Sequence, residues 1–293
     1  MKTEIKCPYC SSNEVIKRGL RNTENRGKIQ RYSCKKCNKR FVVNNGFFRM
    51  RNHPQKITLC MDLFFRGVSL RKAQEHLQAF YPHNSSHMTI YRWITKYSNM
   101  IGKYTDTLKL NVGYELMSDE MEERVRGRQG WFVDVMDTKT RFMVSSDFMY
   151  GRTLENMIKV MRKARIRTGE QVKVVTTDGL MGYGSVLKKT FGLKSPNHYV
   201  SSARSRIIHN IVKANERGFN HKIERLHNSI RERTKIFRGF GSLEGATAIM
   251  KGYEIFYNFI RKHQALNKCP YELAIPELKL GTNKWLDLIR LSC

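Results

Sequence analysis

The stretch that decides the fold is KVVTTDGLMG, residues 173–182. Val174 and Val175 predict a buried β-strand. Asp178 stands where that strand should end, and Gly179 then turns the chain away. The acid is conspicuous because the chain carries 54 Lys and Arg against 25 Asp and Glu. Ligands of α/β proteins bind at the carboxyl ends of such strands, so Asp178 is a candidate site residue.

The sequence around this stretch alternates between strand and helix patterns. Strand patterns lie at 114–127, 130–137, 141–149 and 198–202, and helix patterns lie around 154–161 and at 220–233. Three antiparallel strands, a helix, a parallel strand and further α/β units predict a mixed five-stranded sheet flanked by helices.

Three acidic residues of this region are candidates for one metal site. Asp119 lies on the first strand, Asp178 ends the fourth, and Glu224 lies on the late helix. Clustered carboxylates repel one another, and divalent cations remove that conflict. Two Mg²⁺ or Mn²⁺ ions about 3.5–4 Å apart would clamp the attacking and leaving oxygens of a phosphodiester. The carboxylates therefore indicate metal-dependent phosphoryl transfer.

Composition indicates a nucleic-acid partner. The net charge is +29, and it is spread along the chain rather than confined to a tail. With 40% apolar residues, the chain is too apolar for a disordered polybasic segment. The sequence shows neither an apolar run long enough to cross a membrane nor a signal segment, so we expect an intracellular protein without a membrane partner.

Four cysteines near the N-terminus form two C-x-x-C pairs, CPYC and CKKC. Each pair lets two thiolates reach one tetrahedral ion, so together they predict one structural Zn²⁺. A β-hairpin fits between the pairs. The predicted ligands are Cys7, Cys10, Cys34 and Cys37.

Residues 54–98 predict three helices. Pro54 suits a first helical position, Gly67 ends that helix, and Ser69 caps the next. The third helix, HMTIYRWITKYS (87–98), places apolar residues on one side and a polar stripe on the other. The stripe suits recognition of a DNA major groove. Its members are Thr89, Arg92 and Lys96.

Five blocks of the chain resemble the DDE transposases of insertion sequences. They are VSLRKAQEHL…HMTIYRWITKYS, MSDEMEERVRGRQGWFVDVMD (117–137), VTTDG (175–179), NHKIERLHNSIRERTKIFRGF (220–240) and IRKHQALNKCPYELA (260–274). Their order along the chain makes the resemblance specific. It implies an RNase H-like, retroviral-integrase-like catalytic domain, with Asp119, Asp178 and Glu224 as the metal-binding triad. An N-terminal zinc ribbon also occurs in such transposases.

The third acid of the triad has a rival. Forty-five residues separate Asp178 from Glu224, more than is usual in the family, whereas 37 separate it from Glu216. Glu224 fits the motif better, and Glu216 suits the first turn of a helix. Glu120 should point to the other face of its strand and is not expected to be a ligand.

The first acid also has rivals, Asp134 and Asp137. A turn explains Asp137, and Asp134 fits a solvated strand residue.

Three polar residues should share the Glu224 face of the late helix and contact DNA, with a solvated polar face as the alternative. They are His227, Asn228 and Arg231. Phe237 and Phe240 follow among basic residues, and core packing is preferred for them over stacking on a splayed base.

The predicted organisation has four parts: a zinc ribbon (1–46), an all-α helix-turn-helix domain (47–105), an RNase H-like catalytic domain (110–267) and a C-terminal extension (268–293). We expect a transposase that binds terminal inverted repeats and target DNA as a homodimer or larger assembly in the prokaryotic cytoplasm, at the nucleoid. In that mechanism, water cuts a strand and the resulting 3′-OH attacks the target. The alternatives are a catalytically inactive DNA-binding regulator and a nuclease without strand transfer.

Overall fold

Two sheets and a set of helices make up the computed structural model of the chain. It describes residues 5–23, 27–48, 50–81, 85–193, 207–212, 221–237 and 239–293. Within these ranges, no helix has both the length and the apolar character needed to cross a membrane. The predicted strand at 198–202 and the residue Glu216 lie outside the described residues.

The N-terminal part is a three-stranded antiparallel sheet. Its strands, in spatial order, are β1 (Val15–Thr23), β2 (Gly27–Cys34) and β3 (Arg40–Val42). The predicted hairpin between the two C-x-x-C pairs is therefore present as β1 and β2. This sheet has only a small core of its own, formed by Cys7, Cys34 and Phe41.

Three helices follow as the capping signals predict. They are α1 (Pro54–Arg66), α2 (Leu70–Phe80) and α3 (His87–Thr105). Gly67 ends α1 at a φ of 130°, a backbone conformation that L side chains rarely adopt. The Ser69 side chain accepts the backbone N–H of Lys72 at the start of α2. Helix α3 extends about two turns beyond the predicted segment.

The second sheet has the predicted mixed topology. Its strands are β4 (Glu115–Val125), β5 (Arg128–Asp137), β6 (Met143–Met149), β7 (Val174–Thr177) and β8 (Ile208–Ile211). The spatial order is β6-β5-β4-β7-β8. The β4–β5 and β5–β6 pairs are antiparallel, whereas β4–β7 and β7–β8 are parallel. This is the RNase H-like order, so the predicted fold class is confirmed.

Helices cover both faces of this sheet. They are α4 (Leu154–Thr168), α5 (Tyr183–Thr190), α6 (His221–Thr234) and α7 (Leu243–Ile255), the last continued by a π-helical turn, Phe256–Ile260. The Ser145 hydroxyl donates to the Val160 carbonyl of α4, whereas that of Ser146 donates to Glu254 of α7. Successive strand residues point to opposite faces, so α4 and α7 lie on opposite faces of the sheet.

The chain ends in two short helices, α8 (Tyr271–Ala274) and α9 (Lys284–Leu291). Helix α9 packs against α1 and α3, and α3 packs against α7. Buried side chains of all these elements belong to one continuous hydrophobic cluster. The helical segment and the five-stranded sheet therefore share a core. Phe237 belongs to this packing, stacked on Phe64 with ring centroids 5.7 Å apart.

Substituting Gly252 with alanine should destabilise this shared core. A Cβ at Gly252 would overlap Phe65 Cζ and lie 2.6 Å from Ser98 Oγ. Overpacking of this kind costs about 1–3 kcal/mol. Gly184→Ala is the matched control, because nothing lies within 4 Å of a Cβ at that helical glycine. In urea denaturation, we expect a lower midpoint for G252A alone; equal midpoints for the two variants would contradict this packing.

Candidate active site

Asp119 and Asp178 meet because β4 and β7 are neighbouring parallel strands. The register pairs Met117 with Thr176, so two residues further on Asp119 comes beside Asp178. Oxygen atoms of these two carboxylates and of Glu120 all lie within 4.8 Å of one another. Gly179, with a φ of 90°, turns the chain directly after Asp178. The fold thus forms a carboxylate cluster from Asp119, Glu120 and Asp178.

Asp119 and Glu120 reach this cluster from opposite faces of β4. Asp119 lies on the side of α6, where the His227 imidazole is 3.5 Å from its carboxylate. Glu120 lies on the side of α5 and is 3.7 Å from the Arg152 guanidinium. The predicted orientation of Glu120 is therefore correct. Its exclusion from the ligands is not supported by the distances, since its carboxylate joins the cluster at the end of β7.

Burial disfavours the charged form of two carboxyl groups in the cluster and raises their pKa values. Burial raises the pKa of Asp119 to about 6, with Asp134 and Asp178 adding to the effect and His227 opposing it. Burial likewise raises the pKa of Glu120 to about 7, and Asp178 and Asp119 contribute. Glu120 Oε1 is buried and has no hydrogen-bond partner within the described chain. Carboxylate oxygens are hard donors of the kind that a divalent cation such as Mg²⁺ prefers, so Asp119 and Asp178 fit such an ion.

His227 is buried rather than displayed on the surface. Only 2% of the residue is exposed, which corrects its predicted place on an outward DNA-contacting face. Its Nε2 lies 2.6 Å from Asp134 Oδ1, and its Nδ1 lies 3.5 Å from Asp119 Oδ2. Burial alone would lower the pKa of His227, but Asp134 and Asp119 outweigh it and raise that pKa. The imidazole therefore lies between two carboxylates, hydrogen-bonded to Asp134 and within ion-pair distance of Asp119.

Asp134 and Asp137 both have structural roles. Asp134 is fully buried against His227, so the expected solvated position is wrong. Asp137 Oδ1 accepts the Gly113 N–H, and its Oδ2 accepts the N–H and hydroxyl of Thr140. Its interpretation as a turn residue is confirmed. The sequence did not predict the burial of Asp134, because its hydrogen-bond partner His227 lies 93 residues away in sequence, on another element.

The structure does not bring Glu224 into the carboxylate cluster. Glu224 is an exposed residue of the first turn of α6, one turn before His227. Asn228 and Arg231 are also exposed on α6, as predicted. Helix α6 is thus anchored to Asp119 through His227 while Glu224 remains open to solvent.

The predicted DNA-reading residues lie on α3. Arg92 and Lys96 are exposed, whereas Thr89 is half-buried and its hydroxyl lies 3.1 Å from the hydroxyl of Ser86, the residue that caps the helix. The Lys96 ammonium lies over the Tyr97 ring at 5.0 Å. The polar stripe is therefore present, with Arg92 and Lys96 as its accessible members.

The four N-terminal cysteines form a second candidate metal centre. Their sulfurs all lie within 4.8 Å of one another. Cys7 and Cys37 are 3.6 Å apart and Cys10 and Cys34 are 3.5 Å apart, too far for disulfide bonds. Four sulfurs at about 2.3 Å from one tetrahedral ion would be separated by roughly 3.8 Å. The cluster therefore fits a structural zinc ion.

Comparisons with known proteins identify a family for the part of the chain that contains this site. A family model described as a DDE domain, of the IS240 transposases, matches residues 114–264. A 48.3 kDa uncharacterized protein of insertion element ISM1 from Methanobrevibacter smithii is 28% identical over 172 residues. The match covers 52% of this chain and 40% of the relative, so the chain spans about two fifths of that relative's length.

Solved structures of retroviral integrases are also similar. The HTLV-2 integrase catalytic core domain in complex with magnesium is 13% identical, with a TM-score of 0.39 over 56% of this chain and 98% of that chain. The simian T-cell lymphotropic virus intasome in complex with PP2A regulatory subunit B56 gamma is 11% identical. Its TM-score is 0.41, over 74% of this chain and 73% of that chain.

Proposed function

Because the chain belongs to the DDE transposase family of the IS240 type, we propose that it binds the terminal inverted repeats of an insertion sequence and catalyses DNA strand cleavage and strand transfer. The observation that carries the proposal is the convergence of Asp119 and Asp178 at adjacent ends of parallel strands. Three clustered carboxylates in a chain of net charge +29 suit a site that holds cations against a polyanion.

Membership of the DDE family implies use of a divalent metal, and we propose two Mg²⁺ or Mn²⁺ ions. Asp119 and Asp178 would hold them, with Glu224 as the proposed third ligand. Bound ions would supply Lewis-acid stabilisation of the scissile phosphodiester and lower the pKa of a water nucleophile. His227, held by Asp134, fixes the orientation of the Asp119 carboxylate. Exposed basic side chains, including Arg231, would hold the DNA backbone.

The third ligand can be tested by comparing Glu224→Gln with Glu120→Gln. We expect E224Q to lower the rate of strand cleavage by at least about 100-fold, since a lost ligand costs several kcal/mol of transition-state stabilisation. E120Q should lower the rate less than about tenfold, because Glu120 is already paired with Arg152. Cleavage rates across a Mg²⁺ titration distinguish the two. A larger loss of cleavage rate in E120Q than in E224Q would make Glu120 the third metal ligand. If both variants retained full activity, Glu216 would become the candidate for that ligand.

The zinc ribbon (1–46) and helices α1–α3 are proposed to recognise the element ends. Arg92 and Lys96, with Thr89 at the helix start, would face the DNA major groove. Since an element has two ends, we propose that a homodimer or larger assembly acts on DNA. We propose that the chain has the four predicted parts, with boundaries at 46, 105–110 and 267, and that these parts have separate functions.

Zinc binding is checked by Cys34→Ser. We expect native mass spectrometry to find one zinc ion in the wild type and none in C34S, because three thiolates hold zinc far less tightly than four. Cys293→Ser is the matched control, since Cys293 is exposed and distant in sequence from the cluster. A wild-type protein that folds without zinc would contradict the assignment.

The whole function is tested with DNA carrying the element ends and a divalent metal. Pre-cut ends with a free 3′-OH should be joined to target DNA. A nuclease without strand transfer would cut intact ends but yield no joined product, and an inactive regulator would bind the ends without cutting or joining them.

A further inference from the structure

A basic cavity lies beside α6, and its described lining does not include Asp119, Glu120 or Asp178. Its volume is about 460 Å³, and it is enclosed by α6, the β5–β6 turn and the chain that follows the π-helical turn. Five of its lining side chains carry or can carry positive charge. They are Arg141, Lys222, Arg225, Arg261 and His263. Glu232 is the one acidic side chain among the described lining residues.

The three arginines of this basic cavity are not neutralised by ion pairs among the described residues. No ion pair within the described ranges includes Arg141, Arg225 or Arg261. Nδ1 of His263 is buried and has no hydrogen-bond partner in the described part of the chain. Burial and the charges of Arg261, Arg141 and Arg225 lower the pKa of His263. Several cations that converge with a single acidic side chain, Glu232, among the described lining residues are the arrangement expected of an anion site.

The chemistry of the lining selects a phosphate. Arginine guanidinium groups present a planar fork of donors that binds phosphate oxygens in pairs. Arg141, Arg225 and Arg261 approach from three different segments, so an anion held among them would receive donors from several directions. The Arg261 guanidinium lies 5.9 Å from the centre of the Tyr257 ring, a contact that orients it within the cavity.

We propose that the basic cavity binds a backbone phosphate of DNA and thereby positions one DNA strand alongside α6. The proposal rests on the proposed function, which makes DNA the polyanion that this chain meets. Arg225 and Glu224 are successive residues of α6, so their side chains diverge by about 100° around the helix. A strand held at Arg225 therefore runs beside the helix face that carries the predicted catalytic glutamate.

The test is the salt dependence of DNA binding by Arg225→Gln and by the double variant R225Q/R261Q. Binding of a fluorescent duplex is measured by anisotropy from 50 to 200 mM salt. Each lost phosphate contact should make the slope of log K against log salt shallower by about 0.9. We expect the slope to become shallower by this amount for R225Q, which changes an exposed residue, and by the same amount again for the double variant. Arg162→Gln changes an exposed residue of α4, on the opposite face of the sheet, and should leave the slope unchanged.

The outcomes separate this proposal from the proposed function. A random duplex reports phosphate contacts without cleavage or end recognition, so the slope can be read even if the wild type joins no DNA. Unchanged slopes in both variants would overturn the cavity proposal while leaving strand transfer intact. A second experiment measures the binding of inorganic phosphate by calorimetry. If phosphate binds to the wild type and not to R225Q, while the salt slopes of DNA binding are equal in the two proteins, the cavity binds a small free anion instead of DNA.

Discussion

Replacing Asp178 with asparagine is expected to reduce DNA cleavage and joining by at least about a thousand-fold. Bound metal ions contribute several kcal/mol of transition-state stabilisation, and each 1.36 kcal/mol lost is a tenfold decrease in rate. Asparagine keeps the shape of the side chain and can still accept the Leu180 N–H, which lies 3.0 Å from Asp178 Oδ1. Folding and binding of element ends should therefore be unchanged, while single-turnover cleavage in Mg²⁺ is lost.

Asp287→Asn is the matched control for this prediction. Asp287 also accepts a backbone N–H, from Gly281 at 2.7 Å, but it lies on α9 and outside the carboxylate cluster. D287N should cleave and join DNA at the wild-type rate. If D178N does so too, Asp178 does not hold a catalytic metal and the proposed mechanism is wrong.

Of the substitutions considered, replacing Glu254 with glutamine should cause the largest decrease in the free energy of unfolding. Glu254 is 2% exposed and accepts the Ser146 hydroxyl at 2.5 Å. It forms ion pairs with Lys251 and Arg167. Removing one partner of a buried ion pair leaves the other charge uncompensated and costs about 3–5 kcal/mol. Urea denaturation of E254Q should show a loss of that size.

Glu170→Gln is the matched control for Glu254. Its side chain is 62% exposed and pairs with Arg165 at 2.8 Å, so its loss should cost less than about 1 kcal/mol. Similar losses in E254Q and E170Q would show that the buried charges contribute no special stability.

The same carboxylate predicts a pH dependence of stability. Burial raises the pKa of Glu254, but the charges of Lys251, Lys163 and Arg167 outweigh burial and lower that pKa from 4.5 to about 2. A depressed pKa stabilises the folded state above the ordinary value and loses this effect as the pH falls towards 2. The stability difference between wild type and E254Q should therefore shrink between pH 4.5 and 2.

Local patterns were enough to predict most of the elements. The helix ends at Gly67 and Ser69, the β-hairpin between the C-x-x-C pairs and the strand ending before Asp178 each depend on residues close together in sequence. The short strand β8 was missed. It is an edge strand whose Ile208 and Ile211 are both exposed, so its sequence lacks the alternation that marks a half-buried strand.

Contacts between distant segments were not predictable in the same way. The burial of His227 was missed because its helical position fits a polar face equally well until Asp134 is placed beneath it. Glu120 was not expected to join Asp119 in a metal site, because successive residues of a strand face opposite sides of the sheet. Only the position of Asp178 at the end of the next strand lets both carboxylates reach one point.

By itself, the sequence predicted most of the strands and helices, the four clustered cysteines and the pairing of Asp119 with Asp178. These features follow from short-range spacing and from the rule that parallel strands end at one edge of a sheet. Only the tertiary structure decided which polar groups are buried together, His227 with Asp134 and Glu254 with its cations, and which arginines line the basic cavity. The physical reason is that burial and electrostatic partnership depend on long-range packing, which brings together residues that no local pattern connects.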